Sequence, residues 1–312
     1  MRLVKFWLIS TIFLVHTCMY SGESSSGDFE QKLNRLSDQA VEITVDVTEI
    51  TPANVAALAH AQSDRLLKLT RLAIKRANKQ DRITPEQLTM IGENLPDLTA
   101  LIVQDTGLNG ASLVALKPLV TGKFFTKLSE LDISNNPLDA SDADAASQFS
   151  NVSPSDIALP PLEWINIANL NLHAPAPSSM NFIKRGIMST VLNKTLAAHT
   201  LPLAILDLSG NAIGDFFTYF FASTPLVNAL KFLNLSNTSI TKEGIQSLAQ
   251  STGLKALTEL DLSNNALTDA DIEVLAKASF VPQLKYLNVQ HNNITDETRI
   301  KNLFAHVKAL TL

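Results

Sequence analysis

The chain has 312 residues, 46% of them hydrophobic and 18% charged, so it is long and apolar enough to bury a large core. Its formal net charge of -5 argues against a large nucleic-acid interface, which needs a surplus of Lys and Arg. The motifs of zinc proteases, phosphate-binding loops, dinucleotide folds and serine hydrolases are absent. We therefore expect no catalytic residue, metal, cofactor, small-molecule substrate or nucleic-acid partner.

The N-terminal segment has the layout of an export signal. Arg2 and Lys5 form a short positive region, residues 6–15 form an apolar run, and small and polar residues follow. This order is typical of a secretory signal peptide, so we predict a signal at residues 1–22 and a protein that is secreted or held in the cell envelope or periplasm. The alternative is an uncleaved membrane anchor over residues 3–20, although ordinary spans need about 20 apolar residues.

The single cysteine, Cys18, lies inside this segment. Lipidation there is disfavoured, because Thr17 stands where a small residue usually precedes the modified Cys. If the segment is removed, no Cys is left in the mature chain. That excludes disulfides, and it excludes enzymes such as ubiquitin ligases that work through a Cys thioester. The exported chain would depend on packing for its stability.

Residues 23–40 are predicted to form a linker and an N-terminal capping helix. Phe29, Leu33 and Leu36 fall on one face of a helix over residues 28–39. The residues that follow contain a repeated pattern, and the open end of a stack of repeats needs such a cap to shield its first unit from water. The repeat domain is then residues 41–312.

The rest of the chain repeats the pattern Leu-x-x-Leu-x-Leu-x-x-Asn-x-Leu/Ile. Its clearest copies begin at Leu203, Leu230, Leu257 and Leu284. The second Leu of the pattern recurs at spacings of 29, 29, 30, 34, 41, 27, 27 and 27 residues, at Ile43, Leu72, Leu101, Leu131, Ile165, Leu206, Leu233, Leu260 and Leu287. About nine units result, and residues 307–312 fit a tenth strand.

Each unit is predicted to be a strand, a turn and a helix. The alternate Leu residues of the strand face the core. The Asn position, or Thr at Thr48, Thr106 and Thr238, suits the turn, because its side chain can bond exposed backbone groups. The helices are expected to begin after Thr N-caps at Thr51, Thr241, Thr268 and Thr295. Because helices pack more widely than strands, the expected fold class is α/β: a solenoid, or horseshoe, with a concave parallel β-sheet and convex α-helices.

This pattern resembles the leucine-rich repeat family. The period of 27–29 residues and the full helix in each unit are similar to its ribonuclease-inhibitor-like class. The resemblance covers residues 41–312, and it implies that the concave face and its edge bind protein. The lack of Cys beyond Cys18 is more typical of bacterial than of animal members.

Three stretches depart from the regular period. Residues 65–82 carry seven basic residues and have two interpretations: the strand of a unit around Leu72, or a continuation of the helix that begins near Pro52. Insertions at 139–161 and 173–202 lengthen two units. Such loops often carry binding, and tolerated surface variation explains them equally well.

The charged stretches do not predict a ligand site. The acidic cluster at Asp139, Asp142 and Asp144 lacks the Gly and the terminal Glu of a calcium loop, so a solvated loop is favoured. The basic residues 65–82 are isolated in an acidic chain, so a solvated face is favoured over contact with nucleic acid or an anionic membrane.

The repeat frame places an apolar row on the sheet face opposite the Leu core. Trp164, Ile205 and Phe232 occupy the position before the central Leu in three consecutive units, and Tyr286 follows two units on. Carboxylates border the row at Asp132, Asp207, Glu259 and Asp261. Aromatic residues with a charged border are typical of a binding hot spot. These eight residues are the predicted site for a protein with a basic or mixed surface, unless they pack among themselves or beneath the 173–202 insertion.

The sequence favours a non-enzymatic protein, exported or envelope-associated, that binds a protein partner through this face and the inserted loops. A structural envelope repeat protein without a defined ligand is the first alternative. A GTPase-activator-like regulator is the second, and it would need a positioned Arg such as Arg71 or Arg76.

Overall fold

The computed structural model describes most of the repeat domain. The described residues are 29, 31, 33, 36, 40–63, 69–109, 114–115, 117–138, 160–172, 203–215, 218 and 225–312. The predicted signal or anchor, Cys18, the acidic cluster after Leu138 and the 173–202 insertion lie outside them.

Ten strands of the described chain form one open sheet, and each strand is parallel to the next in chain order. They span Glu42–Asp46 (β1), Arg71–Lys75 (β2), Ala100–Ile102 (β3), Glu130–Asp132 (β4), Trp164–Asn166 (β5), Ile205–Asp207 (β6), Phe232–Asn234 (β7), Glu259–Asp261 (β8), Tyr286–Asn288 (β9) and Ala309–Thr311 (β10). Strand β2 pairs with both β1 and β3, so the strand interpretation of the Leu72 unit is confirmed. Strand β10 adds the predicted final strand beside β9.

The repeated Leu positions stack into one continuous core. Ile43 lies opposite Leu72, and the same register continues to Leu287 opposite Leu310. Every central residue from Ile43 to Leu287 is buried, as is the apolar residue two positions later in each unit. This confirms the predicted alternation. Because burial of each Leu or Ile contributes about 1.5–3 kcal/mol, the stacked core is a large source of stability that needs no disulfide.

In the described part of the chain, helices follow β1, β2, β3, β7, β8 and β9 and complete the same core. They span Pro52–Ser63, Pro85–Asn94, Lys117–Val120, Lys242–Ala249, Asp269–Leu275 and Glu297–Leu303, with 3-10 turns at Val47–Glu49, Pro225–Ala229 and Val281–Gln283. Leu88, Ile245 and Ile272 of these helices belong to the core that holds the strand residues. Before β1, Phe29 and Leu33 have helical backbone and are buried in this core, and Leu36 packs against it.

The helix starts follow the predicted capping residues with one correction. Thr241 and Thr268 occupy N-cap positions, and the Thr51 hydroxyl accepts a bond from a backbone N–H in the first turn. The prediction for Thr295 is wrong: Asp296 caps the last helix, accepting from the Arg299 N–H at 3.0 Å. Thr295 is instead bound by Asp269 of the preceding unit, to which its N–H donates at 3.1 Å. The Asp296 carboxylate, one residue later, therefore accepts the hydrogen bond from the first turn of the helix.

A buried Asn side chain holds the turn after the strand. In Asn211, Oδ1 accepts from the N–H groups of Leu170 and Leu172 at 3.0 and 3.1 Å, and Nδ2 donates to the carbonyls of Ile167 and Leu208 at 2.9 Å each. The same arrangement recurs at Asn136, Asn265 and Asn292. Each of these Asn residues therefore ties its own strand to the preceding unit.

In units that lack this Asn, other groups hydrogen-bond the backbone of the turn. Where Thr replaces Asn, the hydroxyl keeps the bond to its own strand: Thr106 donates to the Val103 carbonyl and Thr238 to that of Leu235. At Leu170 the backbone takes this role: its carbonyl accepts the Leu138 N–H at 3.0 Å, and Nδ2 of Asn171 donates to the Leu138 carbonyl at 3.0 Å. Thr48 departs from the pattern, since its hydroxyl donates to Oδ1 of Asp46 within a 3-10 turn.

The residue before the Asn position has a left-handed backbone in seven units. Its φ lies between 50° and 70° at Asp105, Asn135, Asn169, Gly210, Asn237, Asn264 and His291. Gly, Asn and Asp adopt this conformation at the lowest cost. The turn therefore accounts for the Asn, Asp and Gly residues that precede the motif Asn.

Candidate protein-binding face

The side chains that alternate with the buried Leu residues form the open face of the sheet. The column before the central Leu reads Glu42, Arg71, Ala100, Glu130, Trp164, Ile205, Phe232, Glu259 and Tyr286 from β1 to β9. The column after it reads Thr44, Ala73, Ile102, Asp132, Asn166, Asp207, Asn234, Asp261 and Asn288. All eight predicted site residues lie in these two columns, on strands β4 to β9. We keep the name open face for this surface.

An ion-pair clamp covers the first part of the open face. Arg71 on β2 donates from Nε to Glu42 at 3.0 Å and from Nη1 to Glu130 at 2.6 Å. Glu130 lies two strands away, so the Arg71 side chain crosses β3 at Ala100, which is 0% exposed. A larger residue than Ala would occupy this path. The clamp pairs its charges internally, whereas among the described residues Asp132, Asp207, Glu259 and Asp261 of the same face form no ion pair.

The clamp also bears on the regulator alternative. A GTPase activator needs an Arg that can reach a bound nucleotide. The Arg71 guanidinium binds two carboxylates within the sheet, and Arg76 binds Asp105 and the Lys79 carbonyl. The two arginines that motivated this alternative are thus engaged in contacts inside the repeat domain.

The apolar row crosses three adjacent strands. Trp164 lies opposite Ile205, and Ile205 opposite Phe232, so neighbouring side chains start about 4.8 Å apart. Tyr286 follows on β9, beyond Glu259 on β8. All four apolar side chains are half-buried. Among the described residues the aromatic ring pair is Phe124 with Phe125, so the aromatic rings of the row are separated by Ile205 and Glu259 rather than packed on one another.

Beside the apolar row, Asp and Asn alternate from strand to strand. The Nδ2 group of each Asn donates to the Asp of the preceding strand: Asn166 to Asp132 at 3.1 Å, Asn234 to Asp207 at 3.0 Å, and Asn288 to Asp261 at 2.8 Å. The second carboxylate oxygen of each Asp and the amide oxygen of each Asn accept the backbone N–H two residues on, at 2.9–3.2 Å. Because of this alternation, two carboxylates of the column never lie on adjacent strands, and hydrogen bonds fix each carboxylate in place.

Burial changes the acidity of two of these carboxyl groups. Desolvation raises the pKa of Asp132, and the charge of Asp207 adds to the rise, while hydrogen bonds from Ser134 and Asn166 oppose it. Desolvation also raises the pKa of Glu259, opposed by Lys285. Asp132 is 5% exposed, whereas Asp207 and Asp261 are half-buried. A cation from outside would meet Asp207, Asp261 and Glu259 first.

Tyr286 reports the negative potential of this surface. Desolvation, and then the charges of Asp261 and Glu259, raise the pKa of its phenol to about 12. Both effects disfavour a phenolate. The phenol is therefore neutral at physiological pH, with its ring beside two carboxylates.

We expect the Tyr286 phenol to titrate well above an ordinary tyrosine. The absorbance of phenolate near 295 nm should show one group with a pKa of about 12, and Tyr286→Phe should remove it. Because the unfolded chain releases this proton near pH 10, the free energy of unfolding should fall as the pH rises from 10 to 12. Titration of every tyrosine near pH 10 in the folded protein would contradict this environment.

Sequence reasoning missed the partners that organise the open face. The sequence placed Asn166, Asn234 and Asn288 in the exposed column without a role, and it offered Arg71 only as a candidate activator arginine. The signal was present in the column after the central Leu, where Asp and Asn alternate from Asp132 to Asn288. In the part of the chain that the structure describes, no His, Cys, Asp and Glu side chains converge as a metal site. Within the same residues, no helix has the length and hydrophobicity to cross a membrane.

The regular units match a known family model. The model described as Leucine Rich repeat matches residues 202–215, 228–249, 254–276 and 282–298, which contain strands β6 to β9. The chain therefore contains leucine-rich repeats. No curated protein sequence matches this leucine-rich repeat protein significantly.

Solved structures similar to this leucine-rich repeat protein have low sequence identity. An internalin, InlF, from Listeria monocytogenes is 17% identical, with a TM-score of 0.45 over 83% of this chain and 63% of that one. Rad7 with Elc1 from yeast gives 16% identity and a TM-score of 0.43, over 93% of this chain and 83% of that one. The PEPR1–AtPEP1 structure gives 20% identity and a TM-score of 0.39, over 73% of this chain and 26% of that one. This chain thus spans less than two thirds of the internalin.

Proposed function

We propose that this leucine-rich repeat protein binds a protein partner, without catalysis, on the open face from β5 to β9. This is the face that the repeat geometry predicts to be concave. The single observation that carries the proposal is the half-buried row of Trp164, Ile205 and Phe232 on adjacent strands. Large side chains of this kind, partly shielded and fixed by a rigid sheet, lose little entropy when a partner covers them.

The charge beside the row favours a partner with a basic or mixed surface. Asp207, Asp261 and Glu259 border the row, and the first two are held by hydrogen bonds within the sheet rather than neutralised by a cation. Lys285 acts on Glu259 and lowers the pKa of that carboxyl group. Complementary charge at the border of an interface increases the association rate and selects the partner.

We also propose that the protein is exported through a signal at residues 1–22, and is secreted or located in the envelope or periplasm. The support is the order of positive, apolar and small residues in the sequence. A membrane anchor over residues 3–20 is the alternative. Sequencing of the mature N-terminus distinguishes the two, because an anchor leaves Met1 or Arg2 at the start.

The binding proposal is tested by photo-cross-linking in the cells that produce the protein. A benzophenone amino acid is placed at Ile205, in the middle of the apolar row, or at Asn302, an exposed helix position away from the sheet. We expect a discrete protein adduct from position 205 and none from position 302. Equal adducts from both positions, or none from position 205, would contradict the proposal and favour a structural envelope protein.

A further inference from the structure

We propose that the segment docking on the open face is an extended cationic peptide in polyproline II conformation, with a positive charge at every third residue. This inference rests on the proposed function and adds the conformation and charge spacing of the partner. It comes from a period of two strands that both columns of the open face share.

Aromatic rings and carboxylates alternate across the sheet with this two-strand period. The aromatic residues Trp164, Phe232 and Tyr286 lie on β5, β7 and β9. Asp132, Asp207 and Asp261 lie on β4, β6 and β8, one strand out of phase with the rings. Because strands are about 4.8 Å apart, each row repeats every ~9.6 Å.

Both rows are fixed before a partner arrives. The register of the parallel strands sets the spacing of the rings. Each of the carboxylates Asp207 and Asp261 accepts one backbone N–H at 2.9 Å and one Asn amide at 2.8–3.0 Å. Asp132 extends the row but is buried, so its charge acts over a distance rather than by contact. A partner therefore meets a preformed pattern and does not have to order it.

The spacing distinguishes between peptide conformations. A polyproline II helix rises about 3.1 Å per residue, so residues three apart recur on one side every ~9.3 Å. Over the two intervals from Trp164 to Tyr286 this differs from the sheet by only about 0.6 Å. An α-helix repeats one face every seven residues or ~10.5 Å, and an extended strand every two residues or ~6.8 Å. Neither the helix repeat nor the strand repeat matches the ~9.6 Å spacing over the two intervals from Trp164 to Tyr286.

The chemistry agrees with the spacing. Polyproline II segments dock on surfaces lined by aromatic side chains, because the rings pack on proline and on aliphatic stems. Arg between these contacts would reach Asp207 and Asp261, and its planar group also stacks on aromatic rings. The expected partner segment repeats a cation, a proline and an apolar residue across strands β5 to β9.

The test is a comparison of synthetic peptides by fluorescence anisotropy on the full chain. One peptide repeats the triplet Arg-Pro-Leu. A second has the same composition with its Arg residues grouped at one end, and a third has Gln in place of Arg. We expect the triplet peptide to bind at least about tenfold more tightly than either control, equivalent to about 1.4 kcal/mol. Its affinity should weaken as salt is raised.

The variant Asp207→Asn provides a matched control on the protein. The amide oxygen of Asn can still accept the Ser209 N–H, but the bond from the Asn234 amide is lost, so circular dichroism must show that the sheet keeps its fold. We expect Asp207→Asn to reduce the preference for the triplet peptide over the grouped peptide. Equal binding of these two peptides overturns the inference, as does failure of the triplet peptide to bind. If the cross-link at Ile205 still forms in that case, the proposed function stands and only the charge spacing is wrong.

Discussion

Replacing Asn211 with Ala should lower the free energy of unfolding by more than about 3 kcal/mol, because several buried backbone groups lose their partners at once. The Asn211 side chain is buried at 0% exposure and satisfies two N–H groups and two carbonyls across two units. A buried group left without a partner costs about 1–3 kcal/mol. Urea unfolding followed by circular dichroism measures the loss, and hydrogen exchange at Leu170 and Leu172 should locate it.

Two further variants make this result specific. Asn302→Ala changes the same residue type at an exposed helix position and should alter the free energy of unfolding by less than about 0.5 kcal/mol. Asn211→Thr should fall between the two. A Thr hydroxyl can keep the bond to its own strand, as Thr238 does to Leu235, but it does not reach the preceding unit. A loss below about 1 kcal/mol for Asn211→Ala would show that the Asn does not hold the stack together.

Replacing both Trp164 and Phe232 with Ala should lower the affinity for the partner recovered by cross-linking at least about a hundredfold. A residue at the centre of a hot spot contributes about 2 kcal/mol or more, and these two flank Ile205 at the middle of the row. Both project from the sheet on the side opposite the Leu core, so the double variant should keep its circular dichroism spectrum. Surface plasmon resonance with the purified partner measures the loss.

The control for this prediction is Leu303→Ala. Leu303 is 41% exposed on the last helix, so its loss removes exposed apolar surface without touching the open face. We expect the affinity of Leu303→Ala to equal that of the original protein. If the Trp164→Ala and Phe232→Ala double variant also binds unchanged, the apolar row is not the interface, and half-burial of these side chains is a packing feature of the sheet.

Several predictions made from the sequence are confirmed, and the reason is that they depend on local periodicity. Burial of every second strand residue follows from the geometry of a strand, so the positions of Leu101 or Leu260 are readable from the pattern alone. The Leu72 strand was ambiguous because its unit lacks the motif Asn and carries basic residues. Pairing with β1 and β3 decided in favour of a strand.

The capping prediction shows where local reasoning fails. Thr295 and Asp296 are both good N-cap residues, so the sequence alone does not choose between them. The choice depends on Asp269, which lies 26 residues earlier and binds Thr295 from the preceding unit. The stack of units thus decides a feature that looks local.

The sequence by itself determined the positions and order of the strands and the residues of the buried and open columns, because each follows from spacing along the chain. Only the tertiary structure decided how the open face is organised. Arg71 reaches Glu130 across 59 residues, and Asn166 reaches Asp132 across 34. These contacts depend on which strands stack side by side and on how far each side chain extends over its neighbours. The open face therefore owes its composition to the repeat and its paired charges to the stack.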